Sequence, residues 1–138
     1  MVNLGLLYLY KDYLALAVEG LDVNPVELVD RIKNGGTLPM FTSCCPGWVR
    51  FVKSEYPEFA GNLSTAKSPQ QMFGAVAKSY FANRIGVDPR NIFCVSIMPC
   101  VAKKAEAALP YMNDACGDPD VDVVLTTREL SRANFDFG

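Results

Sequence analysis

The chain has no histidine among its 138 residues, and none of its five cysteines stands in the Cys-x-x-Cys spacing of a zinc ribbon. Imidazole ligation is excluded, so metal binding would fall to the thiols. An odd number of cysteines cannot close into a complete disulfide framework within one chain. Nothing else points to secretion, and the expectation is a reducing, cytoplasmic setting. Neither sign of charge is in large excess: 13 Lys and Arg face 15 Asp and Glu, for a net charge of −2. That balance gives no electrostatic footprint for nucleic acid or an anionic membrane. Long apolar runs are missing too. In "MVNLGLLYLYKDYLALAVEG" (residues 1–20) no basic residue precedes the run LGLLYLY, and Lys11 and Asp12 break the apolar stretch just after it. A signal peptide wants a basic start and a longer apolar core, and a membrane span wants about 20 apolar residues. A buried strand or helix is predicted there instead. No repeat, low-complexity tract or linker divides the chain.

What is present is the composition of a folded domain: 50% of residues are hydrophobic and 20% charged. A chain of this length forms one domain and buries roughly two-thirds of its unfolded surface. "NPVELVDRIKNGG" (24–36) reads as a helix with Asn24 at the cap, Pro25 opening it and Gly35–Gly36 ending it. Val26, Val29 and Ile32 share one face. "TLPMF" (37–41) reads as a strand that Pro39 confines to an edge. A helix starting near Pro46 would turn Trp48, Phe51, Val52 and Tyr56 inward. "KSPQQMFGAVAKSYFANRIG" (67–86) gives the cleanest helix: Ser68 caps it, Pro69 opens it and Gln71 completes a capping box. Met72, Val76 and Tyr80 form its stripe, with Phe73 and Phe81 beside it. "NIFCVSIM" (91–98) and "VDVVLT" (121–126) are continuous apolar runs of strand length, the pattern of strands covered on both faces. "TTRELSRAN" then reads as a helix with Thr126 and Glu129 at the box positions.

Strands alternating with helices of this length imply βαβ crossovers. The predicted fold is a three-layer α/β domain with a mostly parallel twisted sheet flanked by helices. In such sheets, sites form at the carboxyl ends of the strands, where helix N-termini also point. Cys44 and Cys45 sit between the 37–41 strand and a helix, and Cys100 follows the 91–98 strand in the same way. Helix N-termini favour anionic sulfur, which suits thiolate to metal. Topology thus allows the two cysteine loops to meet at one sheet edge.

"TSCCPGW" (42–48) and "MPCVAKKAE" (98–106) resemble the first two signature motifs of the catalytic domain of the [FeFe], or iron-only, hydrogenases. "NLSTAKSPQQMFGA" (62–75) and "DVVLTTREL" (122–130) are similar to the same family, in the same order, and the likeness runs over residues 25–135. The resemblance implies reversible reduction of protons to H2 at an H-cluster, a [4Fe–4S] cubane joined through a cysteine to a two-iron unit carrying CO and cyanide, with ferredoxin-like electron partners. It implies that Cys45 and Cys100 ligate the cubane and that Cys44 exchanges protons with the two-iron unit. Protons would then pass through Glu27 and Ser64 towards Arg31. Lys103 would hold a cyanide, and Ser43, Pro69, Gln70 and Met98 would line the pocket. Soft thiolates are the ligands that hold iron–sulfur clusters, and a buried anion calls for a cation.

The sequence departs from the family pattern in specific places. The third motif, with two further cysteines, has no counterpart before Gly138, and Asn24 stands where a second relay glutamate is expected. Residues 1–20 diverge from the family. Cys94, mid-strand, and Cys116, in a loop, match no family ligand. The expectation is about one lobe of a two-lobed domain, inactive alone and completed by a second chain or by self-association. The alternative is a non-catalytic iron–sulfur-binding or assembly module, in which a dimer pools two Cys45/Cys100 pairs. An inert piece with a sticky apolar face is the third reading. Lys103 beside Lys104 reads on its own as a solvated helix face, Glu106 as the partner of a nearby cation, and Trp48 as core.

Overall fold

The structure is a computed structural model that describes residues 23–135. The strand or helix expected within residues 1–20 lies outside the described residues. The chain folds as α1 (Val23–Asn34), α2 (Pro46–Glu55), a 3-10 segment (Pro57–Asn62), α3 (Pro69–Val76), a π turn (Ala77–Phe81) and α4 (Ala82–Ile85). A short 3-10 turn (Pro89–Asn91), β1 (Val95–Met98), α5 (Ala102–Ala107), β2 (Val123–Thr126) and α6 (Thr127–Phe135) complete it. β1 and β2 pair in parallel, from Val95 opposite Val123 to Met98 opposite Thr126. α5 makes the connection between them, so β1–α5–β2 is the βαβ unit that the alternation predicts. α5 and α6 both pack on β2.

The α/β class with parallel strands stands, but the sheet is smaller than the sequence suggests. Among the described residues it has two strands. The predicted strand at 37–41 shrinks to a single bridge, Phe41 opposite Leu63, with Phe41 N–H on the Asn62 carbonyl at 2.7 Å and Ser64 N–H on the Phe41 carbonyl at 2.7 Å. β1 is not covered on both faces: Val95 and Ile97 are 40% and 50% exposed. The inward positions of β2, Val124 and Thr126, are buried.

Several helices bury faces other than those expected. α1 already includes Asn24, so that residue does not stand at its cap, and the Val26, Val29 and Ile32 stripe is exposed. α1 stops at Gly35, whose φ of 73° is the left-handed conformation that glycine adopts without a Cβ clash. In α2 only Pro46 and Val52 are buried, while Trp48, Phe51 and Tyr56 lie at the surface. Their rings, with those of Phe41 and Phe59, form a continuous chain of stacked, tilted and edge contacts with centroids 5.7–6.4 Å apart. Together with Val52 they line a groove of about 310 Å³. Trp48 is therefore part of a surface aromatic belt rather than of a core.

The 67–86 helix is interrupted by the π turn, and its buried side carries Gln70, Gln71, Gly74, Lys78 and Ala82 rather than the Met72/Val76/Tyr80 stripe. The reason is a close approach. A Cβ on Gly74 would lie 2.5 Å from the Asp120 carbonyl oxygen and 2.7 Å from Val121 Cγ2. Only a residue without a side chain lets the helix lie so near the 120–121 segment that leads into β2, and this fixes which face turns in. Ser68 precedes α3 without capping it through its side chain, and Gln71 does not complete a box: both of its polar side-chain atoms are buried without a partner among the described residues. The box at α6 forms as predicted: Glu129 N–H meets Thr126 Oγ1 at 3.2 Å and Thr126 N–H meets Glu129 Oε2 at 2.8 Å.

Candidate cluster rim and proton relay

The two cysteine loops each lead into a helix, and those helices, α2 and α5, pack against one another. Cys45 is the N-cap of α2, and its Sγ accepts the Trp48 N–H at 3.5 Å. Pro46, at the first helical position, needs no N–H partner there. Cys100 lies two residues before α5, and the Lys103 N–H bonds its carbonyl at 3.2 Å. The loops meet through small residues: a Cβ built on Gly47 would be 3.8 Å from Ala102 Cβ and 3.8 Å from Cys45 Sγ. Cys44 and Cys45 are exposed and Cys100 is half-buried, all as free thiols.

Lys103 is 4% exposed, so it is not a solvated helix face. Its Nζ donates to the Cys44 carbonyl at 2.7 Å and to Glu106 Oε2 at 3.0 Å. Glu106, 5% exposed, also accepts the Ser68 hydroxyl at 2.8 Å. Gln70 donates to the Lys103 carbonyl at 3.4 Å and accepts the Ser96 hydroxyl at 2.8 Å. Ser43 donates to the Ala66 carbonyl at 2.5 Å. Met98 ends β1 half-buried, and Pro69 opens α3 at the surface. Of the residues the resemblance places around the pocket, Cys44, Cys100, Lys103 and Gln70 are thus joined by hydrogen bonds. Pro69 and Met98 enter through their neighbours along the chain.

Glu27, Arg31 and Ser64 form a second cluster. Glu27 Oε2 accepts the Ser64 hydroxyl at 2.5 Å, and Glu27 Oε1 faces Arg31 Nη2 at 2.7 Å. Arg31 also donates to the carbonyls of Thr37 at 3.1 Å and Leu63 at 2.8 Å. Burial pushes the Glu27 carboxyl up. The bonds from Ser64, Arg31 and the Thr65 N–H outweigh that and hold it below the usual carboxylate range. The Cys44 sulfur makes no hydrogen bond to this cluster among the described residues. A cavity of about 670 Å³ has both Ser64 and Glu106 in its wall, together with Ser43 and Ser68, and Arg50 and Lys53 also line it.

A cubane takes four cysteine ligands. The Cys44 and Cys100 loops are tied through Lys103, and no group of three or more Cys, Asp or Glu side chains assembles into a metal site among the described residues. The donor chemistry fits one side of an iron–sulfur cluster. Cys94 does not add to it: burial pushes its thiol up to about 11, with Lys78 lowering it and Asp122 and Asp120 raising it further. A thiol held protonated is a poor ligand. Cys116 is half-buried in the loop after α5.

Sequence reasoning underrated the polar residues around Lys103. Ser68 passed as a helix cap, Glu106 as a generic ion-pair partner, and Ser96 as part of an apolar strand. The i, i+3 spacing of Lys103 and Glu106 on a helix was the available signal.

A family model described as "Iron only hydrogenase large subunit, C-terminal domain" matches residues 21–134. Iron hydrogenase 1 of Clostridium pasteurianum is 56% identical over 106 residues, covering 77% of this chain and 18% of that protein. The cytosolic Fe-S cluster assembly factor NAR1 of Mycosarcoma maydis is 41% identical over 110 residues, covering 75% of this chain and 13% of that protein. Among solved structures, a variant of the apo [FeFe]-hydrogenase of Chlamydomonas reinhardtii superposes with a TM-score of 0.79 at 37% identity. That match covers 88% of this chain and 32% of the other. The chain therefore spans less than a third of each of these relatives.

Proposed function

The chain belongs to the family defined by the C-terminal domain of the iron-only hydrogenase large subunit, and from that premise we propose that it forms one wall of an H-cluster pocket. When bound, the H-cluster supplies the metal site and electrons with which protons and H2 interconvert. Cys45 and Cys100 hold the cubane as two of its four thiolates. The Cys44 thiol holds the proton nearest the two-iron side. Glu27 and Ser64, in contact at 2.5 Å, carry protons onward, with Arg31 fixing the carboxylate. Relays need such groups within one hydrogen bond or one water of each other. The Lys103 ammonium has three donors, of which the Cys44 carbonyl and Glu106 take two. Its third is the one suited to a cyanide. Ser43, Pro69, Gln70 and Met98 complete this wall. The single observation that carries the reading is that one buried lysine is bonded to both cysteine loops.

The remaining thiolates come from elsewhere in the assembled protein, and a ferredoxin-like carrier delivers the electrons. Exposed Phe93, Val95, Ile97 and Val101 favour a covering partner or self-association, since large exposed apolar patches mark contact surfaces. Five free thiols suit a reducing compartment such as the cytoplasm.

Anaerobic reconstitution with iron and sulfide tests the proposal. Iron bound in a form with a reduced-state EPR signal, and lost in Cys45→Ala and Cys100→Ala, supports it; iron uptake that is unchanged in both variants sinks it. The likeness to a NAR1 assembly factor and the two-thiol donor set favour a second reading, a non-catalytic iron–sulfur module. About four irons per pair of chains, with no H2 evolution, would select that reading.

A further inference from the structure

Lys103 is tied to both cysteine loops at once. Its N–H takes the Cys100 carbonyl at 3.2 Å, and its ammonium takes the Cys44 carbonyl at 2.7 Å, 59 residues away in sequence. Its own carbonyl accepts Gln70 at 3.4 Å. The ammonium is out of water, so it needs a counter-charge, which Glu106 supplies at 3.0 Å. Glu106 is itself buried and held by the Ser68 hydroxyl at 2.8 Å, and Ser68 is 1% exposed. Burying such a pair is costly unless each remaining donor and acceptor is used well. Here the outward partner of the pair is a loop carbonyl next to a thiol, not another part of α5.

We infer that Ser68, Glu106 and Lys103 form a clasp that fastens the two cysteine loops together before any cluster arrives, with Glu106 as a positioning residue acting through Lys103. This deepens the pocket reading above and rests on it for the identity of the metal group, but the clasp itself is made only of protein atoms. Its chemical consequence is a pre-assembled pair of thiols. Cluster loading then meets a rim whose backbone is already set, and less ordering is left to do on binding. Gly47 and Ala102, where α2 and α5 face each other, are the apolar half of the same device.

Amide hydrogen exchange on the metal-free chain tests this directly. In Lys103→Met and Glu106→Ala, exchange at residues 42–48 rises by about tenfold or more, while α6 keeps its protection. Glu106→Gln keeps an oxygen for Lys103 and Ser68 but loses the charge, and gives a smaller rise in the same segment. The variant lacking both Lys103 and Glu106 is no looser there than the worse single variant, because the two act as one unit. In parallel, Cd2+ alone binds the metal-free chain about tenfold more weakly when Glu106 is alanine, with all five cysteines intact. Should Glu106→Ala fail to fold, Glu106→Gln and Ser68→Ala report the same pattern at lower amplitude. Unchanged exchange at 42–48 in a folded Lys103→Met chain overturns the clasp. Iron uptake that is unchanged in Cys45→Ala and Cys100→Ala overturns the pocket reading and leaves the exchange result standing.

Discussion

Two lysines are buried among the described residues, Lys78 and Lys103, and they are satisfied by nearly the same set of partners. Lys103 meets a glutamate and the carbonyl of Cys44. Lys78, on the π turn, meets both oxygens of Asp122 at 2.8 and 2.7 Å and the carbonyl of Pro119 at 2.6 Å. Each cation reaches from a helix to a distant loop. The outcomes differ because of what those loops carry. The Cys44 loop carries thiols open to solvent. The Lys78 partner Asp122 spends its second role on the Cys94 N–H at 2.6 Å, at the entrance to β1, beside a thiol that burial keeps protonated. One lysine fastens a rim, and the other fastens a scaffold. A buried lysine is therefore not in itself a functional signal; the exposure of the groups it holds decides.

The sharpest way to break this comparison is to remove one carboxylate. Asp122→Ala leaves Lys78 buried without its counter-charge and is expected to cost about 3–5 kcal/mol in urea unfolding. The 42–48 loop should keep its exchange protection as long as the chain is folded. Loosening of that loop would show that the two lysine centres are coupled.

The thiols give the next largest contrast. With its thiol pushed up to about 11, Cys94 is ionised in only about one molecule in a thousand at pH 8. Iodoacetamide should label it about a hundredfold more slowly than Cys44 and Cys45, as peptide mapping would show. The same shift has a stability consequence. The unfolded chain releases this proton near its ordinary 9.0, while the folded chain keeps it until about 11. The unfolded state then binds fewer protons, so stability falls as pH rises through that window. A urea midpoint lower at pH 10 than at pH 8, with the difference reduced in Cys94→Ala, is the expected result.

Gly74→Ala probes the same scaffold from the helix side. The added methyl meets backbone at 2.5 Å, which side-chain rotation cannot relieve. A loss of about 1–3 kcal/mol is expected, with α3 displaced from the 120–121 segment. Cys45 and Cys100 should keep their alkylation rates, because Gly74 is not part of the rim.

The smallest effect is at α6. Glu129 is held down to about 2 by the Lys104 ammonium, the Thr126 N–H and the Thr126 hydroxyl. A depressed carboxyl contributes stability above its ordinary 4.5 that is lost as pH falls towards 2. This pair is exposed, so acid should fray α6 modestly, and added salt should weaken the effect. Far-UV circular dichroism of wild type against Glu129→Gln measures it; the variant should lose this part of the acid sensitivity.

Much of the local structure was readable. Pro46 and Pro69 open helices, Gly35 and Gly86 close them in the left-handed region, and Thr126 with Glu129 caps α6. These signals are local, acting over three or four residues. Burial was misread wherever hydrophobicity was taken as a direction. The Val26 and Trp48 stripes face outward, whereas Gln70, Gln71 and Lys78 face inward. Periodicity gives the phase of a helix, but it cannot say which side another segment will cover. The candidate site divides in the same way. The thiols and Lys103 stood out in the sequence by their motifs, while Ser68 and Ser96 did not, because their partners lie 38 and 26 residues away.

By itself the sequence determined which atoms could act as soft ligands, where each helix could begin and end, and the family to which those motifs point. The tertiary structure alone decided that the two cysteine loops share a lysine, that Gly74 turns the polar face of its helix inward, and that Cys94 is kept protonated. The physical reason is range. Capping and backbone conformation are settled by near neighbours, whereas burial, counter-charge and thiol ionisation are settled by whatever the rest of the chain packs against them.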